Sequence, residues 1–153
     1  MTTVVRDVVF GEMKYDHSWE KTEEISAFGR TYNVKVVAEA YTKDVILDVQ
    51  RKSYETYKHN IHNYLISVPD ALLKYYIENY ETISSNVEVP DRINLQNINK
   101  ELVVKLIRIK TVYFDRKGRF GWLCDCAWDN EHGICVVLND RDNIFVSEQD
   151  YLL

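Results

Sequence analysis

Three thiols, three carboxylates and one imidazole fall within residues 124–135, which read CDCAWDNEHGIC. Cys124, Cys126, Cys135 and His132 are chemically suitable zinc ligands, and the same groups could serve nucleophilic or acid–base catalysis. Spacing argues against zinc. Structural zinc sites place paired thiolates on a loop with several residues between them, so that both can turn toward one ion. Here the pair is C-x-C inside an apolar β-prone stretch. Alternate strand residues share a face, so Cys124 and Cys126 point the same way. With 129–133 as the loop of a hairpin, Trp128 pairs with Ile134, Cys126 with Val136 and Cys124 with Leu138. Cys135 then pairs with Ala127 on the opposite face. This register makes Trp122, Cys124, Cys126 and Trp128 core residues beside Ile134, Val136 and Leu138. A buried thiol behaves as a small hydrophobe.

Nucleophilic chemistry is also disfavoured. A reactive thiolate needs a cation, a helix N-terminus or a paired base beside it. Asp125 flanks both strand thiols with negative charge instead. Asp129, Glu131 and His132 could do acid–base work in a cleft, but a hairpin tip is solvated. There Asp129 bonds its own turn and Gly133 takes a left-handed conformation. The functional reading of the same residues is a protein-contact patch, with Trp128 as anchor and Asp129, Glu131 and His132 as its polar rim. Spacing leaves open whether Glu131 and His132 hold the turn together or face a partner. His59 and His62 share a helix face without an evident carboxylate partner, and His17 lies in an early turn. No phosphate-binding glycine loop, nucleophile elbow or H-E-x-x-H occurs. No metal and no cofactor is expected. The rival reading is a metal-binding or Cys/His-dependent enzyme built on the cluster 124–135.

The elements that must position these residues follow from periodicity. Residues 8–15, 19–27 and 32–41 read as strands of an antiparallel meander. The second carries Lys21 and Glu23 on the parity of Trp19, Ile25 and Ala27. Residues 45–81 contain no glycine and one proline, Pro69. Tyr54, Tyr57, Ile61, Tyr64, Leu65 and Val68 recur at helical spacing, so this region is two helices or one bent helix. Residues 84–92 read as a loop, and Asn99 as the cap of a short helix ending at Leu106. Residues 107–114, 120–128, 134–138 and 144–146 read as strands, with turns at 115–118 and 139–143. Phe10-Gly11, Phe28-Gly29 and Phe120-Gly121 mark edges and turns. Residues 151–153 are apolar and should dock. Strands, then helices, then strands predict one α+β domain over 1–153, an antiparallel sheet packed against a central helical segment.

Composition narrows the function. The 153 residues carry 19 Lys and Arg against 24 Asp and Glu, a net charge of −5. A chain without a basic run is poorly suited to phosphate backbones, so no nucleic acid is expected. Acidity favours a basic protein partner. Eleven tyrosines suit half-buried positions and contact surfaces. Neither a secretory leader nor a membrane span is read, and three clustered cysteines do not make a disulfide framework, so a cytoplasmic protein is expected.

The stretch FGWLCDCAWDNEHGICVVLNDRDNIFV resembles the C-terminal signature of a bacterial family of uncharacterised domains. In that signature a strand ending in Trp-Asp runs into Glu-His-Gly. Trp19, the Phe28-Gly29 turn, Gln50 followed by Tyr54, and the Tyr75-Tyr76 pair fit the same pattern. The resemblance covers most of the chain outside 82–98. It implies a cytosolic α+β protein with no activity to carry over, and an immunity role beside polymorphic-toxin genes. The expected function is therefore a non-enzymatic protein-binding module that neutralises a toxin. Its partner would be a basic toxin or a second copy of the chain.

Overall fold

In the computed structural model, which describes residues 3–85, 94–138 and 144–153, a strand that the sequence does not reveal comes first, and residues 8–10 of the expected strand 8–15 form instead a turn set by Asp7. Its carboxylate accepts the N–H groups of Val9 and Phe10, both at 3.0 Å. That turn separates β1 (Val4–Asp7) from β2 (Gly11–Tyr15), and Gly11 takes φ +83° to leave it. Local side-chain bonding to the backbone thus overrides the β propensity of the Val-Val-Phe run. Burial pushes the Asp7 carboxyl up, but the two N–H donors and the Arg51 guanidinium outweigh it, so its pKa is lowered.

β3 (Trp19–Ala27) and β4 (Arg30–Ala38) complete the N-terminal meander around the Phe28-Gly29 turn. Tyr32, Val34 and Val36 are buried while Asn33 and Lys35 are exposed, as alternation requires. Lys21 and Glu23 do face the core side of β3. They are accommodated by Tyr54, whose hydroxyl donates to Glu23 and receives the Lys21 ammonium at 2.9 Å.

The helical region is one long helix, α1 (Asp48–Glu78), followed by the short α2 (Tyr80–Ser84). Pro69 lies inside α1 and does not end it. Tyr54, Tyr57, Tyr64, Val68, Leu72 and Tyr76 form its buried face. At its start Gln50 is fully buried. Its side-chain oxygen accepts from the Leu47 N–H at 2.9 Å, and its amide donates to the carbonyls of Glu39 and Phe114. One side chain therefore caps the helix and fastens it to the ends of two neighbouring strands.

α3 (Lys100–Val103) begins where Asn99 accepts from the Leu102 N–H at 2.9 Å, and a 3-10 turn at Val104–Leu106 leads into β5 (Ile107–Phe114). β6 (Phe120–Cys126), β7 (Asp129–Val137) and β8 (Phe145–Glu148) follow. The eight strands make one sheet in chain order. Every neighbouring pair is antiparallel except β4 and β5, which run parallel across the crossover containing the helices. The fold is α+β, with α1 on one face. Trp122 sits fully buried between them and donates its indole N–H to the Tyr57 hydroxyl at 3.0 Å. On the opposite face Val37, Tyr113, Leu123, Cys135 and Val137 are covered by Leu152. The C-terminus docks there through a 3-10 turn, Gln149–Tyr151. Among the described residues no helix is long and apolar enough to cross a membrane. The expected turn at 139–143 and most of the expected loop at 84–92 lie outside the described residues.

Candidate functional site

The hairpin at the cluster turns earlier than its sequence predicts. Ala127 and Trp128 alone make the turn, with Cys126 opposite Asp129. The ladder then shifts, and the next pair is Cys124 with Ile134. Residues 130–133 therefore oppose the single residue Asp125, which makes a large bulge in β7 rather than a loop. The expected register of Cys124 with Leu138 is corrected to Cys124 with Ile134, a slip of four residues. From Gly121 to Cys124 that even slip leaves the side chains on their expected faces, while at the tip Cys126 meets Asp129 instead of Val136, seven residues out across the bulge. Trp122, Cys124, Cys126 and Trp128 are accordingly buried, and Cys135 faces the other side beside Leu123 and Leu152.

Asp129 organises the bulge. Its Oδ1 accepts the His132 backbone N–H at 3.0 Å and lies 3.1 Å from the His132 ring Nδ1. Gly133 closes it with φ +64°. A Cβ on Gly133 would sit 2.3 Å from the Cys124 carbonyl oxygen and 2.5 Å from the Gln149 amide nitrogen. That amide itself donates to the Cys124 carbonyl at 3.3 Å. Trp128 is only 7% exposed. Its indole stacks on Tyr75 and meets Tyr76 edge-on, with centroids 6.4 and 5.7 Å apart. Trp128 thus anchors the turn inward to the end of α1, while Glu131 and His132 project into solvent.

The three thiols do not converge. Cys124 and Cys126 lie in the main core and Cys135 in the core of the opposite face. Among the described residues no group of three or more His, Cys, Asp or Glu side chains is placed to hold a metal. Burial pushes the Cys124 thiol well up, Cys126 to about 12 and Cys135 to about 11. Cys135 donates to the Glu148 carbonyl at 3.2 Å. Thiols held protonated in this way are poor nucleophiles at neutral pH. Iodoacetamide at pH 8 should therefore label the native protein about a hundredfold or more slower than free cysteine, and all three thiols rapidly in urea. Fast labelling of the native chain would contradict this placement. His59 and His62 are both exposed on α1, and His17 is exposed in its turn.

With this geometry in place, the chain can be set against known proteins. Residues 9–153 match the family described as Domain of unknown function (DUF6985). The chain belongs to that family. No curated protein and no solved structure matches it. The family therefore brings no assigned activity, and the roles of its residues here rest on their geometry.

Two contributors escaped the sequence reading. Gln149, which clamps the bulge from the C-terminal segment, carries no local signal for that role. Tyr75 and Tyr76 were visible as an aromatic pair, but nothing in their spacing names Trp128 as what they hold. Burial raises the Tyr75 hydroxyl pKa, and the charges of Glu148 and Asp129 add to it.

Proposed function

We propose that this domain is a non-catalytic protein-binding module that meets a basic partner through the β7 bulge, and that the partner is a toxin it neutralises. One observation carries the reading. Glu131 and His132 are displayed on a bulge fixed from beneath by Asp129, Gly133, Gln149 and the Trp128 anchor. A rigid polar projection loses little conformational entropy on contact, which favours recognition. The net charge of −5 and the acidic Glu131 steer a cationic surface toward it. Toxin neutralisation draws on the resemblance of 120–146 to a domain family found beside toxin genes.

The test is co-expression of the chain with the product of its neighbouring gene, followed by titration calorimetry. Rescue of growth and a complex weakened at least about tenfold in Glu131→Lys with His132→Ala are expected. Both positions are exposed, so the melting temperature should not move. A tight complex indifferent to both substitutions would remove the bulge from the interface. Absence of rescue and of any complex would defeat the neutralising role.

A further inference from the structure

The end of β6 remote from the bulge carries a second exposed surface. There the 41–45 turn, the first turn of α1 and the β5–β6 turn at 115–119 meet. Arg116 bonds the Val45 carbonyl and pairs with Asp44 at 3.6 Å. The Val49 side chain lies 2.8 Å from where a Cβ on Gly118 would sit, and the Ser53 hydroxyl donates to the Gly118 carbonyl. Three large apolar side chains stand out into solvent across this junction: Tyr41 at 70%, Val45 at 69% and Val49 at 40% exposure.

The charges here are asymmetric in their commitments. Every carboxylate of residues 39–49 and 115–119 is bonded within the fold. Glu39 accepts from the Tyr113 hydroxyl and the Arg116 N–H, and Asp44 from the Tyr41 N–H as well as Arg116. Asp48 pairs with Arg51 at 2.5 Å and Asp115 with Arg119 at 2.6 Å. Lys43 and Lys117 are exposed and make no ion pair among the described residues. What this end offers a partner is therefore apolar area and two lysines without an ion pair, the one fully exposed carboxylate, Asp48, being held by Arg51.

The display is also rigid. Lys43 takes φ +69°, in the left-handed region that non-glycine residues avoid. The turn is held by the reciprocal bonds of Tyr41 and Asp44 and by the Trp19 indole, which donates to the Asp44 carbonyl at 3.0 Å.

We infer that Tyr41, Val45 and Val49, flanked by Lys43 and Lys117, form a docking surface for an acidic polypeptide segment that presents apolar residues between carboxylates. This goes beyond the bulge reading, since it uses the other end of the sheet and the opposite charge preference. Apolar contact supplies affinity, and the two lysines select the sign of the partner.

The probe is a fluorescein-labelled synthetic peptide of alternating leucine and glutamate pairs, with a twin in which lysine replaces glutamate. Anisotropy with the full chain should show binding of the glutamate peptide and not of the twin. Lys43→Glu with Lys117→Glu should weaken the glutamate peptide at least about tenfold and admit the twin, because like charges now meet. Tyr41→Ala should weaken the glutamate peptide on the otherwise wild-type chain and the twin on the chain that carries Lys43→Glu with Lys117→Glu. Glu131→Lys with His132→Ala should leave binding unchanged, which separates this surface from the bulge. The inference is overturned if neither peptide binds, or if the lysine substitutions have no effect. It is equally overturned if phosphatidylserine vesicles compete the peptide away. A dimer in sedimentation that Tyr41→Ala dissociates would assign the surface to a second copy and would also overturn it.

Discussion

Replacing Gly133 by alanine is expected to destabilise the protein by about 2–4 kcal/mol, combining a left-handed backbone with a steric clash. The φ of +64° already disfavours any L side chain. The added Cβ would also lie 2.3 Å from the Cys124 carbonyl oxygen, a backbone atom in the middle of β6. The Gln149 amide, at 2.5 Å, could swing aside, but a strand carbonyl cannot. The bulge must therefore lift off β6, carrying His132 away from Asp129. Urea unfolding measures the stability loss. On the binding role proposed above, partner capture should fall with it, whereas the exposed substitutions at Glu131 and His132 should reduce capture at unchanged stability. An alanine variant with the wild-type unfolding midpoint would show that the bulge is not held as described.

The second large effect is expected at Trp122. Truncation to alanine should cost about 4–6 kcal/mol, the cavity supplying most of it and an orphaned hydroxyl the rest. The ring is fully buried, meets Phe28 edge-on at 6.2 Å and donates to Tyr57. Burial pushes the Tyr57 hydroxyl to about 12, and without the indole its buried oxygen loses the donor from which it accepts. Trp122→Phe keeps an aromatic filler but not the donor, and should cost about half as much or less. Chemical denaturation with an unchanged m-value checks both. A loss below about 2 kcal/mol for the alanine variant would mean that the site collapses easily, contrary to a close-packed centre.

These two positions show what could be read in advance. Strand parity was legible through the whole cluster, because apolar side chains alternate whatever residue each one faces. That is why the thiols fell on the correct faces even though the pairing was four residues out. The pairing itself was not legible. Ala127-Trp128 has none of the Gly, Asn or Asp that mark a two-residue turn, while 129–133 is full of them. The turn is set instead by where Trp128 finds Tyr75 and Tyr76, a contact across more than fifty residues of sequence. The turn at 8–10 was hidden in the same way, behind the β propensity of the residues that make it. The parallel pairing of β4 with β5 went unread, although the residues that pair there, 36–38 and 112–114, are unbroken apolar runs buried on both faces. The site followed the same rule. Asp129 and Gly133 were identifiable as turn-forming residues, but Gln149 entered only through tertiary contact.

That single parallel seam has a consequence for biosynthesis. The first four strands need nothing downstream to pair among themselves, yet β4 has no neighbour on its outer side until Ile107–Phe114 has been made. At typical translation rates the interval is roughly 4–15 s, spent entirely on the crossover. During it the nascent sheet ends in the apolar residues Val34, Val36 and Ala38, an edge open to other chains. The first element to leave the ribosome afterwards is α1, whose Gln50 bonds the Glu39 carbonyl just past that edge in the complete fold. The helix can dock as a temporary shield before the strand it will share with β4 exists. A ribosome pause between residues 78 and 107 would prolong this half-built state.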